Sequence, residues 1–162
     1  MRLTGSQIAG GNSSGGRVEN DFYATNPEAL EMLLRTYDDF GKDILEPCVG
    51  RGHLAKVLEK HGAVVTALDI VDRGYPGTIV RDFLVSNTKH RYDSVVTNPP
   101  YSLAKEFVEK SLQLVKSGGK VAMFLKIQFL EGQKRKEKSY LKTIHQSTSM
   151  CLGIEWQLGI VD

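Results

Sequence analysis

The run YDSVV at residues 92–96 gives way to TNPPY at 97–101, an amide, two prolines and an aromatic in close succession. Pro99 and Pro100 stop any strand or helix there, because a proline has a fixed φ and no N–H to donate. Asn98 offers an amide oxygen, and carbonyls beside a proline are left to turn outward. Two acceptors converging on one point would take both hydrogens of a planar NH2 group. Such an amine is a poor nucleophile, since its lone pair is conjugated into the ring or carbonyl that carries it. Accepting both hydrogens draws the nitrogen towards a tetrahedral shape and releases that pair. Tyr101 has the flat face to stack on the group and set its angle of attack. The proton lost afterwards can leave to solvent, so no strong general base is needed. The four histidines agree with that, for they follow helices or lie in polar stretches and form no constellation. Nothing in the sequence suggests a metal.

Earlier in the chain, EPCVGRG at 46–52 places Gly50 and Gly52 just after an apolar run. A missing side chain there lets backbone approach a ligand closely. Asp69 ends the next run about twenty residues on, where a carboxylate accepts hydrogen bonds from a ribose diol. Asp82 and Phe83 end a third, where a carboxylate suits an adenine amino group and a ring packs on the base. Alone, each acid is an ordinary strand-end turn residue. Three in register point to a nucleotide-like ligand.

The elements that must position these residues alternate. Asn26 and Pro27 mark the start of an amphipathic helix, PEALEMLLRTYDDF, stopped by Gly41. DILEPCVG predicts a strand and glycine turn, and HLAKVLEKHG a helix closed by Gly62. AVVTALDI, the weaker TIVRDFL and YDSVVTNPP predict three further strands. Ser102 is placed to cap the helix LAKEFVEKSLQLVK, and Gly118 and Gly119 precede a fifth strand, KVAMFLKIQ. Strands apolar throughout, alternating with helices, predict a doubly wound α/β fold with a mainly parallel sheet covered on both faces. Ligands of such sheets bind outside the carboxyl ends of the strands, where strand order reverses.

The whole chain of 162 residues fits one domain. Residues 1–19, rich in glycine, serine and asparagine, predict a flexible arm, with the catalytic domain over 20–162. A net charge of +2 is too small to establish a polyanionic partner. Two cysteines, no signal peptide and no apolar run long enough to span a bilayer predict a reduced, cytoplasmic protein without a membrane partner. Cys48 reads as a small buried residue, since no base accompanies it.

With these residues in view, the chain resembles the S-adenosylmethionine-dependent amino-methyltransferases, and most closely the small phage and prophage adenine-specific DNA methyltransferases. DFYATNP, EPCVGRG, Asp69, the pair Asp82 and Phe83, and NPPY carry the resemblance, in that order, over roughly residues 20–135. It implies a Rossmann-like class I methyltransferase fold with S-adenosylmethionine as cofactor. By similarity Thr25 touches the methionine carboxylate, Glu46 and the Gly50 turn hold the methionine portion, and Asp69 holds the ribose. Asp82 and Phe83 hold the adenine. Pro47, Cys48, Gly52, Ile70 and Asn98 complete the implied cofactor-binding set. Asn98, Pro99, Pro100 and Tyr101 hold the target amine, which attacks the methyl group by in-line displacement. Adenine in duplex DNA must then be flipped into the pocket.

The basic segment EGQKRKEKSYLK, with Lys134, Arg135, Lys136 and Lys138, is placed either to contact phosphates or to form a solvated helix face. Two departures from the family stand out. MCLGIEWQLGIVD offers one strand, or two if the turn is tight, without clear hairpin punctuation, where the family has an antiparallel pair, so a truncated sheet with an exposed edge, inviting dimerisation, is expected. There is also no target-recognition domain, which leaves specificity short or supplied by a partner. NPPY also serves enzymes acting on adenine in RNA and on a glutamine side chain, and an inactive cofactor-binding subunit is a further alternative.

Overall fold

In the computed structural model, which describes residues 26–37 and 39–125 and the backbone of 149–154, the first element is helix α1, Pro27–Thr36. Asn26 caps it as expected: its Oδ1 accepts from the Glu28 N–H at 3.0 Å, and Pro27 occupies the first turn, where no N–H is needed. The helix is shorter than its periodicity predicts, because Tyr37 is extended and Phe40 turns into the core.

Six strands follow: β1 Asp43–Glu46, β2 Val64–Asp69, β3 Ile79–Val80, β4 Tyr92–Thr97, β5 Val115–Leu125 and β6 Ser149–Ile154. Helix α2, His53–Lys60, joins β1 to β2, and α3, Ala104–Leu114, joins β4 to β5. The strand order is β3-β2-β1-β4-β5-β6, and every pairing is parallel. The chain thus winds one way from β1 and, from β4, the other way. The reversal lies between β1 and β4, the place where ligands of such sheets bind.

The apolar runs are continuous because alternate residues of each strand enter different cores. Leu45, Val95, Val121 and Met123 pack with Phe107 and Val108 of α3. Ile44, Val96, Ala122 and Phe124 pack with Leu30 of α1 and Leu54 and Leu58 of α2. At the amino edge, Asp93 ties three elements together. Its Oδ2 accepts from the N–H groups of Lys42 and Asp43 at 3.0 and 2.9 Å, and its Oδ1 takes Lys116 Nζ at 2.7 Å.

Four local expectations are corrected. The third strand has two residues in place of the predicted seven, since Asp82 accepts from the Leu84 N–H and turns the chain away from the sheet. Ser102 does not cap α3 by its side chain. It lies in a single 3-10 turn, Tyr101–Leu103, closed by the Leu103 N–H on the Pro100 carbonyl at 2.9 Å. β5 begins at Val115, paired with Tyr92, and the register shifts before Lys120 pairs with Ser94, so Gly118 and Gly119 lie inside the strand. Finally, β6 adds to β5 in parallel, where the resemblance implies antiparallel strands.

Candidate functional site

Each of the first four strands ends on, or is followed within two residues by, a residue that can take part in polar chemistry. Glu46 closes β1, Asp69 closes β2, Asp82 follows β3, and Thr97 closes β4 with Asn98 next. The parallel registers of β1 with β2 and β4 set these ends side by side.

Glu46 is 1% exposed. Its carboxyl accepts from the Ala55 N–H in the first turn of α2, yet Oε2 is buried without a partner among the described residues. Burial pushes this carboxyl well above the usual range, and the charges of Asp69 and Glu59 add to the effect. Asp69 is buried too, and it fastens the glycine turn. Its Oδ2 accepts from the Gly50 N–H at 2.9 Å, its Oδ1 from the Val71 N–H at 3.1 Å, and Arg73 Nε lies 3.9 Å from Oδ1. Gly50, at φ 54, supplies the left-handed bend that aims its N–H at this carboxylate.

The room left by Gly52 is filled from within the protein. At φ 77 its α-carbon faces the Tyr75 ring so closely that a Cβ would come within 2.0 Å of it. Tyr75 in turn donates from its hydroxyl to Glu59 Oε1 at 2.6 Å, pinning the β2–β3 connection onto α2. Nothing singled out Tyr75 in the sequence. Its setting between Gly74 and Gly77 is the one signal that a buried ring needed tight turns on both sides. Pro47 is buried, and Cys48 and Ile70 are half-buried. Burial and the nearby charge of Asp69 push the Cys48 thiol up, which keeps it protonated and agrees with a packing role.

Asp82 is half-buried, with Oδ1 on the Leu84 N–H at 2.9 Å and Oδ2 buried without a partner among the described residues. Phe83 is buried in the core, 5.0 Å from the Phe107 ring. Thr97 Oγ1 lies against the Cys48 thiol but finds no partner in hydrogen-bonding geometry. Asn98, Pro100 and Tyr101 are half-buried, Pro99 is buried, and Tyr101 packs on the α3-side core. The Pro100 carbonyl is committed to the 3-10 turn.

Four buried side-chain oxygens lack a partner among the described residues, and three of them, on Glu46, Asp82 and Thr97, stand at carboxyl ends of strands. Buried polar atoms are normally satisfied, so orphans gathered at a strand-order reversal mark a place for a polar ligand. The charges of Asp69, Glu46 and Asp82 all reach Cys48 and add to the rise of its thiol. Among the described residues, no group of three His, Cys, Asp or Glu is placed to hold a metal, and no helix is long and apolar enough to cross a membrane. Thr25, Lys134, Arg135, Lys136 and Lys138 lie outside the described residues.

No protein-family model and no curated protein matches the chain. Solved structures do. A proposed RNA methyltransferase from Pyrococcus horikoshii superposes with a TM-score of 0.50 at 18% identity, over 73% of this chain and 60% of its own. A Thermoplasma acidophilum protein superposes with a TM-score of 0.52 at 22% identity, over 67% and 65%. The chain has their Rossmann-like fold and spans less than two thirds of either.

Proposed function

We propose that this chain is an S-adenosylmethionine-dependent methyltransferase that acts on the exocyclic 6-amino group of adenine in DNA. The observation that supports this reading is the placement of the partnerless oxygens of Glu46, Asp82 and Thr97 where the strand order reverses, next to Asn98. The residues fit the cofactor. Its ammonium group, ribose diol and adenine amine are all hydrogen-bond donors, and Glu46, Asp69 and Asp82 present carboxylates in that order along the strand ends. Thr25 and the turn from Pro47 to Gly52, with Cys48, would hold the methionine end. Ile70 would pack beside the ribose, with Phe83 backing the adenine position from the core.

When bound, S-adenosylmethionine supplies an electrophilic methyl group on a sulfonium. The chain supplies orientation and fixed dipoles. Asn98 Oδ1 takes one hydrogen of the target amine. With the Pro100 carbonyl used by Leu103, the second acceptor is assigned to the Pro99 carbonyl. Tyr101, held against the core on one side, stacks on the target base and sets the line of attack. Lys134, Arg135, Lys136 and Lys138 are assigned to the phosphates of the strand. RNA is the second reading, favoured by the likeness to a proposed RNA methyltransferase of the same fold. A homodimer or a specificity partner would contribute to target recognition.

The test is transfer of labelled methyl from S-adenosylmethionine to unmethylated DNA, ribosomal RNA and release-factor protein in separate samples, with Asn98→Ala alongside. Label recovered as 6-methyladenine in DNA, and lost in the variant, is the expected result. Label in RNA alone would move the activity to the second reading. Cofactor binding without label in any sample would make the chain a cofactor-binding subunit.

A further inference from the structure

Between β3 and β4 the chain forms a tight turn whose acceptors are taken up almost in sequence. The Asp82 carbonyl accepts from the Ser86 N–H at 3.0 Å, and the Phe83 carbonyl from Ser86 Oγ at 2.8 Å. Asp82 Oδ1 accepts from the Leu84 N–H. The carbonyls of Leu84 and Ser86 both point to one ammonium, Lys110 Nζ, at 2.9 and 2.5 Å. Lys110 comes from the middle of α3, and its Nζ also sits 5.4 Å from the centre of the Phe83 ring. What this arrangement leaves over is a single buried oxygen, Asp82 Oδ2.

We propose that Lys110 is a positioning residue for the cofactor, holding the 82–86 turn so that Asp82 Oδ2 is presented to the adenine amine. The inference rests on the cofactor reading above and extends it to a residue outside every motif in the sequence. Two carbonyl contacts and a ring contact fasten the turn to α3, beyond what its own hydrogen bonds provide. The ammonium also lies within electrostatic reach of the Asp82 carboxylate. α3 begins directly after the NPPY loop, through the 3-10 turn at Tyr101–Leu103. One helix therefore carries both the end that holds the target amine and the lysine that sets the adenine position.

The experiment is calorimetric titration of S-adenosylmethionine into the full chain, into Lys110→Met and Lys110→Arg, and into each of these combined with Asp82→Asn, with folding checked by thermal melting. Lys105→Met, on the exposed face of α3, controls for loss of positive charge. Lys110→Met is expected to weaken binding by about tenfold, as for removal of a charged hydrogen-bond donor. Lys110→Arg should recover part of it, and neither should add to the loss already present in Asp82→Asn. Equal losses from Lys110→Met with and without Asp82 would overturn the proposal, since a lysine acting through Asp82 has nothing left to act on. So would a loss matched by Lys105→Met. Should Lys110→Met fail to fold, Lys110→Arg decides: a loss of the same size with and without Asp82→Asn counts against action through Asp82. Failure of the unmodified chain to bind at all would instead overturn the cofactor reading.

Discussion

Glu46, assigned above to the cofactor, holds its place at some expense to the fold. Its folded carboxyl titrates well above the unfolded value, so its contribution to stability is fully present below about pH 4 and is lost as pH rises through the folded value. Glu46→Gln keeps an acceptor for the Ala55 N–H and removes the charge. Relative to the unmodified chain, the variant is expected to gain stability as pH goes from 5 to 8, while its affinity for S-adenosylmethionine falls; urea midpoints and titration calorimetry at both pH values check the two halves. Gly52 makes a steric argument. A Cβ at Gly52 meets both a left-handed φ and the Tyr75 ring, whereas Gly62, at φ 84, has open space around it. Gly52→Ala should cost on the order of 2–4 kcal/mol and Gly62→Ala only about 1 kcal/mol, read from denaturant curves. Comparable costs would mean that Tyr75 yields. The special character of Gly50, Gly52 and Asp69 was visible in the sequence because each sits at the end of an apolar run. Tyr75 and Lys110 were not, since what matters about them is contact across the fold with Gly52 and with the 82–86 turn.

Among the elements, one carboxylate at the amino edge of the parallel sheet links three strands. Asp93 joins the starts of β1 and β5 to β4, and Lys116 with the N–H groups of Asp43 and Lys42 holds its pKa at about 2. A depressed folded value gives stability that is present above the unfolded value, near pH 4, and disappears as pH falls through about 2. Asp93→Asn is therefore expected to unfold at lower temperature than the unmodified chain at pH 7, with the gap closing between pH 4 and pH 2. A gap that stays constant with pH would place the contribution in packing and not in charge. Gly41 belongs to the same clamp, because a Cβ there would lie 2.3 Å from the Asp93 side chain. The elements themselves were legible where periodicity and capping agreed, as at Asn26, Gly62 and the runs of β1, β2 and β4. They differ from the sequence pattern where local hydrogen bonds compete with the regular ones: the Asp82 side chain ends β3 early by taking the Leu84 N–H, and the backbone carbonyl of Pro100 takes the Leu103 N–H in a 3-10 turn where a Ser102 cap is expected.

For the molecule as a whole, the candidate site has no domain of its own. It is built from the ends of four strands whose middles are the core, and so it forms only when the sheet forms. A ligand that binds there binds the folded state alone, and its binding energy becomes folding energy. At one hundred times its dissociation constant, S-adenosylmethionine should add about 2.7 kcal/mol, which for a chain of this size raises the melting temperature by roughly 5–10 °C. Asn98→Ala is expected to keep nearly all of that shift while losing methyl transfer, because its amide is assigned to the target amine and the carboxylates to the cofactor. Asp82→Asn should lose much of the shift. Thermal melts of the three proteins with and without cofactor, beside the transfer assay, separate the two halves of the site. A shift abolished by Asn98→Ala with the unliganded melting temperature unchanged would place Asn98 in the cofactor pocket itself, and the amine-binding role of the NPPY loop would have to be given up.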